Sequence, residues 1–197
     1  MRFCRGVGLY KEMSRILEPI KIDMNTEVFF NVNWEDYRCS CIQHQKTEQS
    51  DLHPDSGMPE SLVLDNTAIH QKFFDESEVD YKELGRQTGI DVKSVSVIKQ
   101  EPGNIIPKHR DMFYKIEQTY PFRQEIKVRA NIFLEDWKSG HYLEFDEEPC
   151  THWKANEGYI LNNEVIHLSA NAGLENKYTL QVSGFYNDSS LHKPSRQ

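Results

Sequence analysis

Residues 126–134 read Ile-Lys-Val-Arg-Ala-Asn-Ile-Phe-Leu, and their alternation decides the fold class. Side chains in extended backbone point to opposite faces in turn. Ile126, Val128, Ala130, Ile132 and Leu134 therefore share one face, and Lys127, Arg129, Asn131 and Phe133 the other. Working outward, Val95 and Val97 set the same period in residues 94–100. Further short strands are predicted at His141 to Phe145, Gly158 to Leu161 and Tyr178 to Phe185. The turn-rich stretches 101–107 and 171–176 lie between strands, and this punctuation predicts a β-sandwich or jelly roll.

The upstream third reads differently. Leu9, Met13, Ile16 and Leu17 recur at helical spacing, and Pro19 closes that segment. Residues 27–32, Glu-Val-Phe-Phe-Asn-Val, predict a strand. Residues 46–59 collect Ser, Asp, Gly, His and two prolines and predict a long exposed loop. A second helix is predicted between about residues 75 and 87, burying Val79, Tyr81 and Leu84 and stopping at Gly89. The chain is thus expected to be mainly β with flanking helices. It forms one domain over residues 1–186, with support elements over 1–90, a jelly-roll core over 90–186 and a frayed tail over 187–197.

Composition narrows the function classes. A chain of 197 residues buries a core without disulfide or metal staples. Its 31 acidic against 23 basic side chains give a net charge of -8, which disfavours a phosphate-neutralising surface, so no nucleic-acid partner is expected. No window supplies the roughly 20 apolar residues of a membrane helix, and residues 1–12 hold no apolar stretch fit for a signal peptide. A soluble, cytoplasmic protein is predicted. Cys4, Cys39, Cys41 and Cys150 lack the density of a secreted disulfide scaffold and are read as reduced thiols.

The chemistry begins at His109-Arg110-Asp111, where two-residue spacing in extended backbone sends an imidazole and a carboxylate to one face, able to share a metal. His-X-Asp also occurs by chance, so a third ligand is needed. His167, in Asn163-Glu-Val-Ile-His-Leu-Ser-Ala-Asn171, completes two histidines and one carboxylate, a facial set that leaves positions open on Fe(II). Ten residues on, Lys177 is followed at the next same-face position by Thr179, with Gln181 and Ser183 beyond. A cation and a hydroxyl pointing into an apolar barrel would receive an anionic tail. The alternative is an edge strand on which both face water.

Pro102-Gly-Asn-Ile-Ile-Pro-Lys-His109-Arg-Asp111, then Gly140-His-Tyr-Leu-Glu-Phe145, then His167 with Lys177-Tyr-Thr179, resembles the Fe(II)- and 2-oxoglutarate-dependent oxygenase superfamily over roughly residues 90–186. Val128-Arg-Ala-Asn-Ile-Phe-Leu134 and the Gly-His-Tyr segment look like the aspartyl/asparaginyl β-hydroxylase-like and prolyl-hydroxylase-like branches. The resemblance implies a double-stranded β-helix of cupin type and a hydroxylase that uses Fe(II), 2-oxoglutarate and O2. It implies that His109, Asp111 and His167 bind iron, that Lys177 pairs with the distal carboxylate of 2-oxoglutarate, and that Thr179 hydrogen-bonds to it. Members of these branches often carry arginine at the Lys177 position, and some β-hydroxylases lack the carboxylate that Asp111 supplies. The implied partner is a small-molecule or peptide substrate. Competing readings are a cupin-like metal enzyme without 2-oxoglutarate, a nucleic-acid demethylase and a non-enzymatic binding module.

Arg129 and Asn131 project from the polar face of their strand, toward the other end of 2-oxoglutarate or the substrate, or into a structural salt bridge or solvent. His141 either lines the pocket or packs. Trp137 and Trp153 are sized to anchor a core, and either one can also flank a substrate channel. Cys39-X-Cys41 with His44 has the look of a zinc site but offers only three ligands at unusual spacing.

Overall fold

The computed structural model describes residues 15–40 and 68–187. Its strands are β1 (Leu17–Lys21), β2 (Arg38–Ser40), β3 (Ala68–Phe74), β4 (Ile90–Gln100), β5 (Ile105–His109), β6 (Lys127–Phe133), β7 (His141–Phe145), β8 (Glu148–Cys150), β9 (Glu157–Leu161), β10 (His167–Asn171) and β11 (Lys177–Tyr186). They form a seven-stranded sheet, β1-β9-β6-β11-β4-β3-β2, and a four-stranded sheet, β5-β10-β7-β8. All the pairings are antiparallel. This is a double-stranded β-helix, as the sequence predicts.

Alternation sorts the large sheet into two unlike faces. Val95, Val97, Val128, Ala130, Ile132, Leu180 and Val182 are buried on its outer face, beneath Phe29, Trp34, Val79 and Leu84. The opposite side chains of β6 and β11, including Arg129, Asn131, Phe133, Lys177 and Thr179, turn toward the smaller sheet. There Phe133, Leu143, Phe145, Trp153, Leu161 and Val165 form a second apolar cluster. The main core thus lies outside the barrel, and polar groups occupy part of its interior.

The second helix, predicted from about residue 75, begins only at Tyr81 and runs to Thr88, after a turn over residues 75–80. Asp80 caps it by accepting from the Lys82 and Glu83 amides, and Gly89 ends it at φ 68, a left-handed conformation that glycine adopts without a Cβ penalty. Gly184 follows a register shift in β11, and a Cβ there would overlap the Asp91 carbonyl. A short helix, Tyr114–Thr119, follows the Asp111 segment.

Three upstream expectations are corrected. Leu17, expected to end a helix, begins β1, and Pro19 lies inside that strand; β1 is a sheet edge, where a missing N–H costs no ladder bond. Glu27–Phe29 is a 3₁₀ turn rather than a strand, and it buries Phe29 edge-on against Phe74 at 5.2 Å between ring centroids. Within the turn-rich stretch 101–107, residues from Ile105 onward join β5, another edge strand that tolerates Pro107. The loop predicted over 46–59, residues 9–14 of the first predicted helix, the tail beyond 187, and Cys4, Cys41 and His44 lie outside the described residues. Cys39 and Cys150 are free thiols.

Candidate metal centre

β10 brings the two histidines together. It pairs with β5 in the register His167 opposite His109, and the rings lie 4.3 Å apart. Asp111 follows the end of β5, outside the strand assumed from the sequence, and its carboxylate still reaches the two histidines. His109, Asp111 and His167 offer ligand atoms all within 4.8 Å of one another. His167 and Asp111 are buried and His109 is half-buried.

The hydrogen bonds orient each ring. His109 Nδ1 lies 2.7 Å from the Pro107 carbonyl, and His167 Nδ1 lies 3.3 Å from the Val165 carbonyl. A carbonyl only accepts, so each Nδ1 is the donor, which leaves Nε2 as the inward ligand atom. His167 Nε2 faces Asp111 Oδ2 at 3.9 Å. Burial, followed by the neighbouring His167 ring, pushes the His109 pKa down to about 4, so this imidazole is neutral near pH 7.

Asp111 is held by one side only. Arg129 Nη1 lies 2.5 Å from Oδ1, and Arg129 Nε donates to Ser183 Oγ at 3.0 Å. Burial works to raise the Asp111 pKa, but the Arg129 guanidinium, with His167 and His109, holds it below the usual carboxylate range. Asp111 Oδ2 is buried with no hydrogen-bond partner among the described residues. An orphaned carboxylate oxygen between two imidazoles is the signature expected of a ligand set for a divalent cation, and the donors fit a two-histidine, one-carboxylate centre.

Lys177 opens the second part of the site. The residue is 2% exposed, and no carboxylate among the described residues pairs with it. Its Nζ donates to Ser169 Oγ at 2.6 Å and to the Tyr142 carbonyl at 2.8 Å, and lies 5.5 Å from the centre of the Trp153 ring. An ammonium has three donors, so one remains. Burial draws its pKa down to about 7. Ser169 and His167 share the inner face of β10, two residues and roughly 7 Å apart along the strand. The buried cation is therefore about one strand period from His167.

Thr179 is half-buried on β11, in register with Phe133. Arg129 is engaged with the Asp111 carboxylate, and Asn131 Oδ1 accepts from Gln181 Nε2 at 3.1 Å, so the structure brings Arg129 but not Asn131 to the ligand set. His141 is buried with Nε2 3.1 Å from the Glu175 carbonyl, a packing role. Trp153 stacks on Phe133 at 4.0 Å, and Trp137 Nε1 donates to the His141 carbonyl. Sequence reasoning missed Ser169 as an orienting group for Lys177. Period two counted from His167 would have found it.

No family model matches the chain, and no curated protein matches it. Among solved structures, a Pseudomonas putida prolyl-4-hydroxylase is similar at 13% identity and a TM-score of 0.51, over 87% of this chain and 93% of that one. The viral collagen prolyl hydroxylase of Paramecium bursaria Chlorella virus-1, a 2-oxoglutarate complex, is similar at 12% identity and a TM-score of 0.50, over 85% and 94%. A cupin superfamily protein of Desulfitobacterium hafniense aligns over 63% of this chain and 84% of that one, at 10% identity and a TM-score of 0.37. The first two share the fold of this chain, a double-stranded β-helix. Among the described residues, no helix is long and apolar enough to cross a membrane.

Proposed function

We propose that the protein is an Fe(II)- and 2-oxoglutarate-dependent dioxygenase that hydroxylates its substrate. His109 Nε2, His167 Nε2 and one Asp111 oxygen would hold the metal. Lys177 would pair with the distal carboxylate of 2-oxoglutarate, with Thr179 as a hydrogen-bond donor beside it. The observation that carries this reading is the pairing of two unmet needs among the described residues: a buried carboxylate oxygen without a hydrogen-bond partner and, about one strand period away, a buried ammonium without a carboxylate partner.

When bound, the metal and 2-oxoglutarate together supply O2 activation, in which the cosubstrate is oxidatively decarboxylated to succinate and CO2 and one oxygen atom enters a substrate C–H bond. The chain's own residues do the positioning. Arg129 fixes Asp111 through Oδ1 and leaves Oδ2 to face the histidines. Ser169 and the Tyr142 carbonyl hold the Lys177 ammonium in place before any ligand arrives, which lowers the entropy cost of binding. The buried Phe133–Trp153 stack lies beside the Lys177 ammonium, 5.5 Å from Nζ to the Trp153 ring centre, and keeps that end of the site apolar, where a charge pair is stronger than in water.

The structural neighbours named as prolyl hydroxylases favour a peptide residue over a free amino acid or small metabolite as substrate. A cupin-type metal enzyme without 2-oxoglutarate is the second reading, favoured by the two acceptors that already hold Lys177. Succinate release from 2-oxoglutarate by the Fe(II)-loaded protein, in the presence of proline-containing peptides, separates them. Turnover that is lost in Asp111→Ala and Lys177→Met supports the oxygenase. Metal binding without any 2-oxoglutarate turnover or affinity favours the second reading.

A further inference from the structure

A second set of donors lies where β2, β3 and the end of β4 meet, and it shares no residue with the first centre. Glu35 sits in the 3₁₀ turn Trp34–Tyr37, His70 on β3, and Glu101 directly after β4. One carboxylate oxygen from each acid and one nitrogen of His70 lie within 4.8 Å of one another. His70 is 2% exposed, yet neither Nδ1 nor Nε2 has a hydrogen-bond partner among the described residues. A buried imidazole with both nitrogens idle is costly, because desolvation of its polar atoms is offset by nothing. The Lys99 ammonium, 2.8 Å from Glu101 Oε1, engages that carboxylate through only one oxygen.

We propose that Glu35, His70 and Glu101 form a second divalent-metal site of the zinc type, which ties the 3₁₀ turn, β3 and the β4–β5 turn together. One imidazole nitrogen and two carboxylate oxygens are ligands zinc accepts at about 2.0–2.2 Å, with water completing the shell. Donors 4.8 Å apart or less need to close by at most about 1.5 Å to reach that geometry. The ion joins segments that come from distant parts of the chain, so its effect is on the stability of this corner rather than on the oxidation chemistry.

The test uses the full chain carrying Asp111→Asn and His167→Ala, so that the first centre is disabled and its failure cannot be confused with failure of this one. Titration with Zn(II) alone, by calorimetry and thermal unfolding, should give one equivalent bound and a rise in Tm. Adding His70→Gln should abolish both, and Glu35→Gln or Glu101→Gln should weaken binding at least tenfold. Co(II) should show visible d–d absorption that His70→Gln removes. Glu35 is exposed and Glu101 half-buried, so their variants keep the test decisive even if the His70 variant fails to fold. No zinc equivalent in the disabled background, or one indifferent to Glu35, His70 and Glu101, overturns the proposal.

Discussion

Arg129 Nη1 lies 2.5 Å from Asp111 Oδ1, and this one ion pair decides which oxygen of the carboxylate faces His109 and His167. The guanidinium is anchored in turn by Ser183 and lies 5.7 Å from the Phe113 ring centre. A partner that fixes a ligand carboxylate typically contributes ten- to a hundredfold to metal affinity.

Replacing Arg129 with Met removes that partner and keeps the length of the side chain. Mn(II) affinity should fall by about ten- to a hundredfold. The metal-free protein should also lose about 3 kcal/mol in urea unfolding, because a buried carboxylate is left uncompensated. Unchanged metal affinity would remove Arg129 from any positioning role.

Lys177→Met should separate function from stability. The buried, acid-free ammonium destabilises the empty protein, so an apolar side chain of similar volume should leave apo stability equal or raise it by about 1 kcal/mol. The same variant should lose the response to 2-oxoglutarate. A large fall in apo stability would show that the hydrogen bonds to Ser169 and Tyr142 outweigh the cost of burial.

The Lys177 pKa of about 7 also sets a pH profile for ligand binding. A carboxylate ligand needs the protonated amine, so above pH 7 each binding event must take up a proton. The dissociation constant for 2-oxoglutarate should therefore rise about tenfold per pH unit between pH 7.5 and 9.5. Calorimetry on the Mn(II) form measures it, and Lys177→Arg should flatten the slope if it binds. A flat profile in the parent would mean the amine is not the anion's partner.

His109 predicts the acid limb of stability. Its folded pKa of about 4 lies below the unfolded value near 6.5, so between these values the unfolded chain binds more protons and the metal-free protein loses stability as pH falls. The loss is at most about 3 kcal/mol, lessened by the partial exposure of the ring. Urea midpoints at pH 4.5 and 7.0 should differ less in His109→Gln than in the parent.

Parts of this architecture were legible because they obey a local rule. β6, β7 and β11 as far as Ser183 follow alternation, and helix Tyr81–Thr88 carries its stop at Gly89, although its start was expected near residue 75. The expected strand at 27–32 failed because burial of Phe29 against Phe74 outweighed β propensity. β1 and β5 were obscured by Pro19 and Pro107, which are ordinary on sheet edges but read as breaks in a sequence taken alone. The spacing of His109 and Asp111 gave their common face. The register that sets His167 opposite His109 and the contact between Arg129 and Asp111 are long-range pairings with no local signal. The cluster of Glu35, His70 and Glu101 was invisible for the same reason.

The most direct measurement is the thermal midpoint of the protein under anaerobic conditions with Mn(II), titrated with 2-oxoglutarate, alongside His167→Ala and Lys177→Met. Ligand that binds the folded state raises its stability by mass action, about 2.7 kcal/mol at a hundred times the dissociation constant. The parent should show a rise that requires the metal, disappears in His167→Ala, and in Lys177→Met is confined to the part contributed by Mn(II) alone. A parent protein indifferent to saturating metal and 2-oxoglutarate would contradict the account.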